Sequence, residues 1–152
     1  MKILSFIFLC IFGWFMHSPF SIVESTVQWS AGGRMESGIA ESYTLKLVAN
    51  YGSDKLNIND LWIDSSYFEA HPYKQNKDLS FGNTWEKGDT LYIKAVKRSY
   101  PDGKGELKDF VKPGKALPFK YSGAALIGYT LKGKKKYFVV EKFKKLPKVY
   151  NP

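Results

Sequence analysis

The chain has 152 residues, 25 of them Phe, Trp or Tyr, with a formal net charge of +9 and a single cysteine. A chain of this length forms one domain that buries roughly two-thirds of its unfolded surface. One cysteine excludes an internal disulfide scaffold, so stability must come from packing of an aromatic core.

Lys2 leads an apolar run from Ile3 to Met16, followed by His17-Ser18-Pro19-Phe20-Ser21. One cation, an apolar stretch and then a polar segment with small residues is the pattern of a secretory signal. The run is about 14 residues, against roughly 20 for a helix that crosses a bilayer. The sequence therefore predicts a signal peptide over 1–21, cut somewhere in 18–25, and a domain over 26–148. The destination is periplasmic, cell-surface or secreted, and the alternative is an uncleaved N-terminal anchor reaching Val23 with Lys2 inside. Cys10 follows Phe8-Leu9, not the small residues that precede a lipidated cysteine.

From Thr26 the texture is β. Val27, Trp29 and Ala31 alternate with polar neighbours up to Gly32-Gly33. Over Ser42–Asn50, Tyr43, Leu45, Leu47 and Ala49 give the cleanest half-buried strand. Tyr51–Asp54 turns the chain, and Leu56–Asp64 follows with Ile58 and Trp62 on one face. Leu61 and Ile63 disturb that period, which predicts a bulge near Asp60. Tyr67–His71 continues to Pro72, Gln75–Gly88 is polar and turn-rich, and Thr90–Arg98 is a strong strand. Pro101-Asp102-Gly103 is turn chemistry, a short helical turn is predicted around Leu107–Val111, and a strand over Ala116–Tyr121. Leu126–Leu131 and Lys136–Phe143 form a hairpin. A Gly133-Lys134 turn of type II′ would set Tyr129 against Phe138 and Ile127 against Val140, and is preferred to a Lys132-Gly133 turn, which would set Tyr129 against Lys136.

Seven to eight short strands without a convincing helix predict an all-β fold: a single antiparallel β-sandwich of immunoglobulin-like type. A small barrel or jelly roll is the alternative. The predicted core includes Trp29, Tyr43, Leu45, Leu47, Ile93, Ile127, Tyr129, Phe138 and Val140. The tryptophan-flanked cysteine pair of antibody domains is absent.

Catalytic constellations are scarce. After the signal the only histidine is His71, at a strand end, and no serine sits in a nucleophile-elbow context. Zinc would need more ligands, so no metal and no cofactor is expected. Asp60, Asp64, Glu69, Glu86 and Asp89 could hold a glycosidase pair only if two of them faced across a cleft. Asp54, Asn57, Asn59 and Asp60 lack the order and glycine of a calcium loop. No catalytic residue is assigned.

Two features point to binding. Residues 104–148 carry 13 Lys against 3 acids, whereas 22–103 carry 9 Lys or Arg against 11 acids. This basic lobe, with Lys134, Lys135 and Lys136 at the hairpin tip and Lys142–Lys148 beyond, suits an anionic envelope polymer or protects an edge strand. Nucleic acid is a poor partner, because the chain is exported and has little arginine for base readout. Aromatic residues are dense over Trp62–Tyr73 and Phe81–Tyr92, and ordinary cross-strand pairing in the core accounts for most of them. Trp62 and Trp85 are the candidate exposed rings for a sugar or a protein partner, Trp85 foremost because it sits in a polar loop. The expectation is a non-catalytic exported binding or structural module of the cell envelope, with a carbohydrate-binding or carbohydrate-processing domain as the alternative.

Overall fold

In the computed structural model, residues 18–33, 38–76, 81–110 and 113–150 are described. Most of the expected signal, residues 1–17, lies outside them. The described chain is all-β, with no helix. Its strands are β1 (Phe20–Ala31), β2 (Ile39–Ala49), β3 (Leu56–Ile63), β4 (Ser66–Glu69), β5 (Lys74–Gln75), β6 (Phe81–Gly82), β7 (Thr90–Pro101), β8 (Leu107–Phe110), β9 (Ala125–Leu131), β10 (Lys134–Val140), β11 (Lys144–Lys145) and β12 (Val149–Tyr150).

Two principal sheets form. One runs in the order β11-β1-β2-β7-β8, with β12 also on β1; the other runs β10-β9-β3-β4. Pairing is antiparallel except where β11 and β12 lie parallel to β1. One apolar cluster draws on both sheets. Tyr43, Leu45, Leu47, Leu91 and Ile93 come from the first, and Ile58, Leu61, Ile63, Ile127 and Tyr129 from the second. Alternation along β2 and β7 creates this core, since every second residue points one way. Trp29, expected inside, is only half-buried and packs edge-on against Tyr150, because β12 lies beside the outer end of β1.

Phe20 is fully buried, with ring centroids 5.5 Å from Tyr129 and 5.0 Å from Phe138. The first residues of β1 are thus core residues, and the folded unit begins before residue 26.

The bulge falls where the sequence placed it. The register of β3 against β9 shifts between Ile58 and Asp60. Ile58 and Trp62 do not share a face as expected: Ile58 joins the core with Leu61 and Ile63, while Trp62 lies outside that cluster. The extra residue at Asn59 returns the apolar period to the core side and turns Asp60 and Trp62 to the other face.

The β9–β10 hairpin departs from the expected register by two residues. Leu131 pairs with Lys134, Tyr129 with Lys136, Ile127 with Phe138 and Ala125 with Val140. Lys132 (φ 49°) and Gly133 (φ 78°) both have positive φ, which makes a type I′ turn. Its twist matches that of the strands, and the Lys132 amide donates to the Lys55 carbonyl at 2.8 Å. A two-residue shift leaves the faces unchanged, so the core assignment of this hairpin survives its wrong partners.

Leu107–Phe110 is a strand instead of a helical turn. The Asp102 carboxylate accepts the amides of Lys104 and Glu106 at 2.8 and 3.0 Å, which closes a tight turn and lays β8 against Arg98–Pro101. The strand expected over Ala116–Tyr121 is also absent: that segment is irregular.

Candidate functional site

On its non-core face the four-stranded sheet carries Asp60, Trp62, Tyr67, Gly128, Lys135 and Tyr137. The irregular segment 113–122 lies over them. Asp60 is only 1 % exposed, yet both carboxylate oxygens are engaged. Lys115 Nζ donates to Oδ1 at 2.6 Å, the Tyr67 hydroxyl donates to Oδ1 at 2.9 Å, and Lys135 Nζ donates to Oδ2 at 2.8 Å. Trp62 Nε1–H donates to the Lys115 carbonyl at 3.1 Å, and the Tyr121 hydroxyl reaches the Asp64 carbonyl at 3.2 Å. Gly114 sits against the Tyr67 ring, and Phe119 packs edge-on against Tyr137.

Gly128 makes this arrangement possible. A Cβ there would lie 2.9 Å from the Asp60 Cβ and 3.1 Å from the Trp62 ring. The residue opposite the bulge must therefore lack a side chain.

Burial alone would raise the Asp60 carboxyl pKa, but the hydrogen bonds from Lys115, Lys135 and Tyr67 outweigh it and hold the group below its ordinary value. Burial and the bond to Asp60 push the Tyr67 hydroxyl up, and the bond to Asp60 raises Lys115. Asp60 is thus a fixed anion at neutral pH with its acceptors filled. That chemistry suits a clamp between sheet and loop and does not suit proton transfer.

Beside this face lies a groove of about 670 Å³, lined by Tyr67, Phe68 and Glu69 of β4, by Val96, Arg98 and Tyr100 of β7 and by Phe110 of β8, among others. Among the described residues β4 ends its sheet and pairs only with β3, so one side of it is an edge. Phe110 is 61 % exposed, and Val96 and Tyr100 are also exposed. Lys97 is held by Asp109 at 2.8 Å, while Arg98 is exposed and, among the described residues, in no ion pair.

A second surface joins His71, Pro72, Tyr73, Phe81, Asn83 and Lys94 in a shallow hollow. Tyr73 stacks on Tyr92 at 5.7 Å, Phe81 stands edge-on to Tyr73 and is 69 % exposed, and Lys94 lies over the Tyr73 ring.

The residues singled out from sequence divide. Trp62 and Trp85 are both buried, so neither is the exposed ring that a sugar or protein partner would need, and the core reading of the aromatics holds for Trp85. Trp62 is covered by segment 113–122. Trp85 leaves its polar loop to join the core, with Nε1–H donating to the Tyr51 carbonyl at 3.2 Å. Lys134 is exposed at the hairpin tip and Lys136 is half-buried in β10, but Lys135 is taken by Asp60. The basic lobe is also divided: Lys144 and Lys145 lie beside Thr26 and Val27, and Lys148 lies over Trp29. That places Lys148 about 30 Å along β1 from Phe20. His71 is exposed and lies 3.7 Å from Glu69. The groove residues Val96, Arg98, Tyr100 and Phe110 were not anticipated. An apolar Val96 on the polar side of the β7 alternation was their one sequence signal.

Among the described residues no group of three or more His, Cys, Asp or Glu gathers as metal ligands would. No protein-family model, curated protein or solved structure matches the chain significantly.

Proposed function

We propose that this chain is an exported, non-catalytic binding module of the cell envelope, a two-layer β-sandwich of immunoglobulin-like type that takes an extended protein segment in the β4–β7–β8 groove. The strand order supports the architecture. Of the eight described strands of four or more residues, the first, second, fifth and sixth share one sheet, and the third, fourth, seventh and eighth share the other in the order β10-β9-β3-β4. That order resembles an immunoglobulin domain with an added strand beside its third, with β8 following β7 on the sheet edge where such a domain places a strand that precedes it. The shared apolar cluster supports two layers.

One observation carries the binding reading: exposed Val96, Tyr100 and Phe110 line a groove that also borders the edge strand β4. An edge strand offers backbone donors and acceptors to an incoming strand, and apolar pockets then select alternate side chains. Arg98 adds a preference for an acidic residue in the segment. Selection from a peptide library displayed on phage tests this. Enriched peptides should carry apolar residues at every second position, and Phe110→Asp should abolish their binding. Enrichment unaffected by Phe110→Asp would overturn the groove as the site.

The carbohydrate alternative keeps one support, the Tyr73–Phe81–Lys94 hollow, whose planar rings suit a sugar face. Glycan-array binding that is lost in Phe81→Ala would favour it over the peptide reading.

A further inference from the structure

A strand pairs through two edges, and β7 fills only one of them. That edge is paired with β2 from Thr90 to Ser99. On the other edge Tyr73 bridges Tyr92: the Tyr73 amide donates to the Tyr92 carbonyl at 3.0 Å and the Tyr92 amide to the Tyr73 carbonyl at 2.8 Å. β8 takes the same edge again from Arg98 to Pro101. In an antiparallel ladder successive residues turn their backbone groups to opposite edges. Tyr92 turns away from β2, so Lys94 and Val96 do too. Among the described residues neither has a backbone partner on that side.

The groove of about 670 Å³ lies along this gap. It touches Val96, Lys97 and Arg98, successive residues whose side chains point to opposite faces, so it meets β7 at its edge. Residues 93–97 extend over about 16 Å, room for a strand of about five residues. The charge beside the gap is uncompensated. Lys94 and Arg98 are exposed and, among the described residues, in no ion pair, while Lys97 is held by Asp109. β4, the other edge of the groove, carries the exposed Glu69. An acidic segment is therefore drawn to β7 and repelled from β4. A second copy of this chain would bring the lysines of its outer strands β10 and β11 against Lys94 and Arg98.

We infer that the segment bound in the groove is an acidic strand of another protein that pairs with β7 through Lys94 and Val96, filling the row between Tyr73 and β8. This pairing rests on the groove reading and adds to it the edge used and the sequence selected. Directly opposite residues of paired strands share a face. The segment therefore sets an apolar residue beside Val96 and, two positions away, an Asp or Glu beside Lys94.

Amide hydrogen exchange of the full chain, read by NMR with and without a peptide selected on the groove, tests this. In the free chain Lys94 and Val96 should exchange fast while Ile93 and Ala95, bonded to β2, exchange slowly. With peptide, Lys94 and Val96 should slow by about tenfold or more. Slow exchange of both in the free chain would overturn the open edge, and slowing that grows with chain concentration would put a second copy there instead of a partner. Protection of Tyr67 and Glu69 in place of Lys94 and Val96 would move the segment to β4, overturning this pairing and leaving the groove reading intact. A library that yields no peptide dependent on Phe110 would overturn both. Peptides selected on Lys94→Glu should replace their acid with Lys or Arg, and an unchanged acid there would contradict the pairing.

Discussion

Asp60→Asn is the most informative perturbation of the fold. The substitution keeps the shape of the side chain but removes the charge that Lys115, Lys135 and Tyr67 address. Removing one partner of a fully buried ion pair costs roughly 3–5 kcal/mol, because a charge is left without compensation. Here the orphaned ammonium groups are 57 % and 50 % exposed and can turn to water. The loss should therefore be smaller, about 2–3 kcal/mol for charge-assisted hydrogen bonds to a buried acceptor. At about 3–4 °C per kcal/mol for a domain of this size, the melting temperature should fall by roughly 6–12 °C at pH 7. The pH dependence fixes the cause. The folded carboxyl sits below its unfolded value, so its contribution is present above about pH 4 and is lost as pH falls through the folded pKa. Wild type should lose stability faster than Asp60→Asn below pH 4, and the two curves should converge. The double variant Lys115→Met/Lys135→Met should lose more than Asp60→Asn at pH 7, because it strands the buried anion. Calorimetric melts from pH 2 to pH 8 read all three. A loss under about 0.5 kcal/mol, or parallel pH curves, would refute the clamp.

Other perturbations test separate parts of the fold. Gly128→Ala should destabilise by about 1–3 kcal/mol in urea unfolding, since the new methyl meets Asp60 and Trp62. Lys132→Asn should stabilise by about 0.5 kcal/mol in the same assay, because asparagine tolerates the positive φ that this turn imposes on lysine. Phe20→Ala should cost about 3–5 kcal/mol. A chain starting at Ile22 should melt well below one starting at Ser18, which would show that residues 18–21 belong to the folded unit.

Much of the fold was legible because strand alternation is local. Tyr43, Leu45, Leu47 and Ile93 could be assigned to the core from their own neighbours, and the broken period at Leu61 announced the bulge. What a bulge does to facing depends on which residue is extra, and that is set by the partner strand, so the sequence pattern groups Ile58 with Trp62 on one face whereas the fold separates them. The Asp60 clamp was illegible for the same reason. Its lysine partners lie 55 and 75 residues away in sequence: strand register brings Lys135 to it, and the irregular segment 113–122 brings Lys115. Trp85 shows the limit of composition: a polar loop can still turn one indole inward when a backbone carbonyl accepts its N–H. The hairpin at Gly133 takes the Lys132-Gly133 turn although its cross-strand pairs are less apolar, because the twist of a type I′ turn matches that of the strands. Leu107–Phe110 looked helical from spacing alone, and the Asp102 turn with a ladder against β7 decided otherwise.

The most direct measurement of the binding claim replaces Phe110 with the photo-reactive analogue benzoylphenylalanine in the full chain and irradiates cells of the host. The same analogue at Tyr150, on the far strand β12, serves as the control. A crosslink to one protein at position 110, absent at position 150 and competed by a groove-selected peptide, is the expected result. Crosslinking at both positions alike, or at neither, would contradict a partner in the groove.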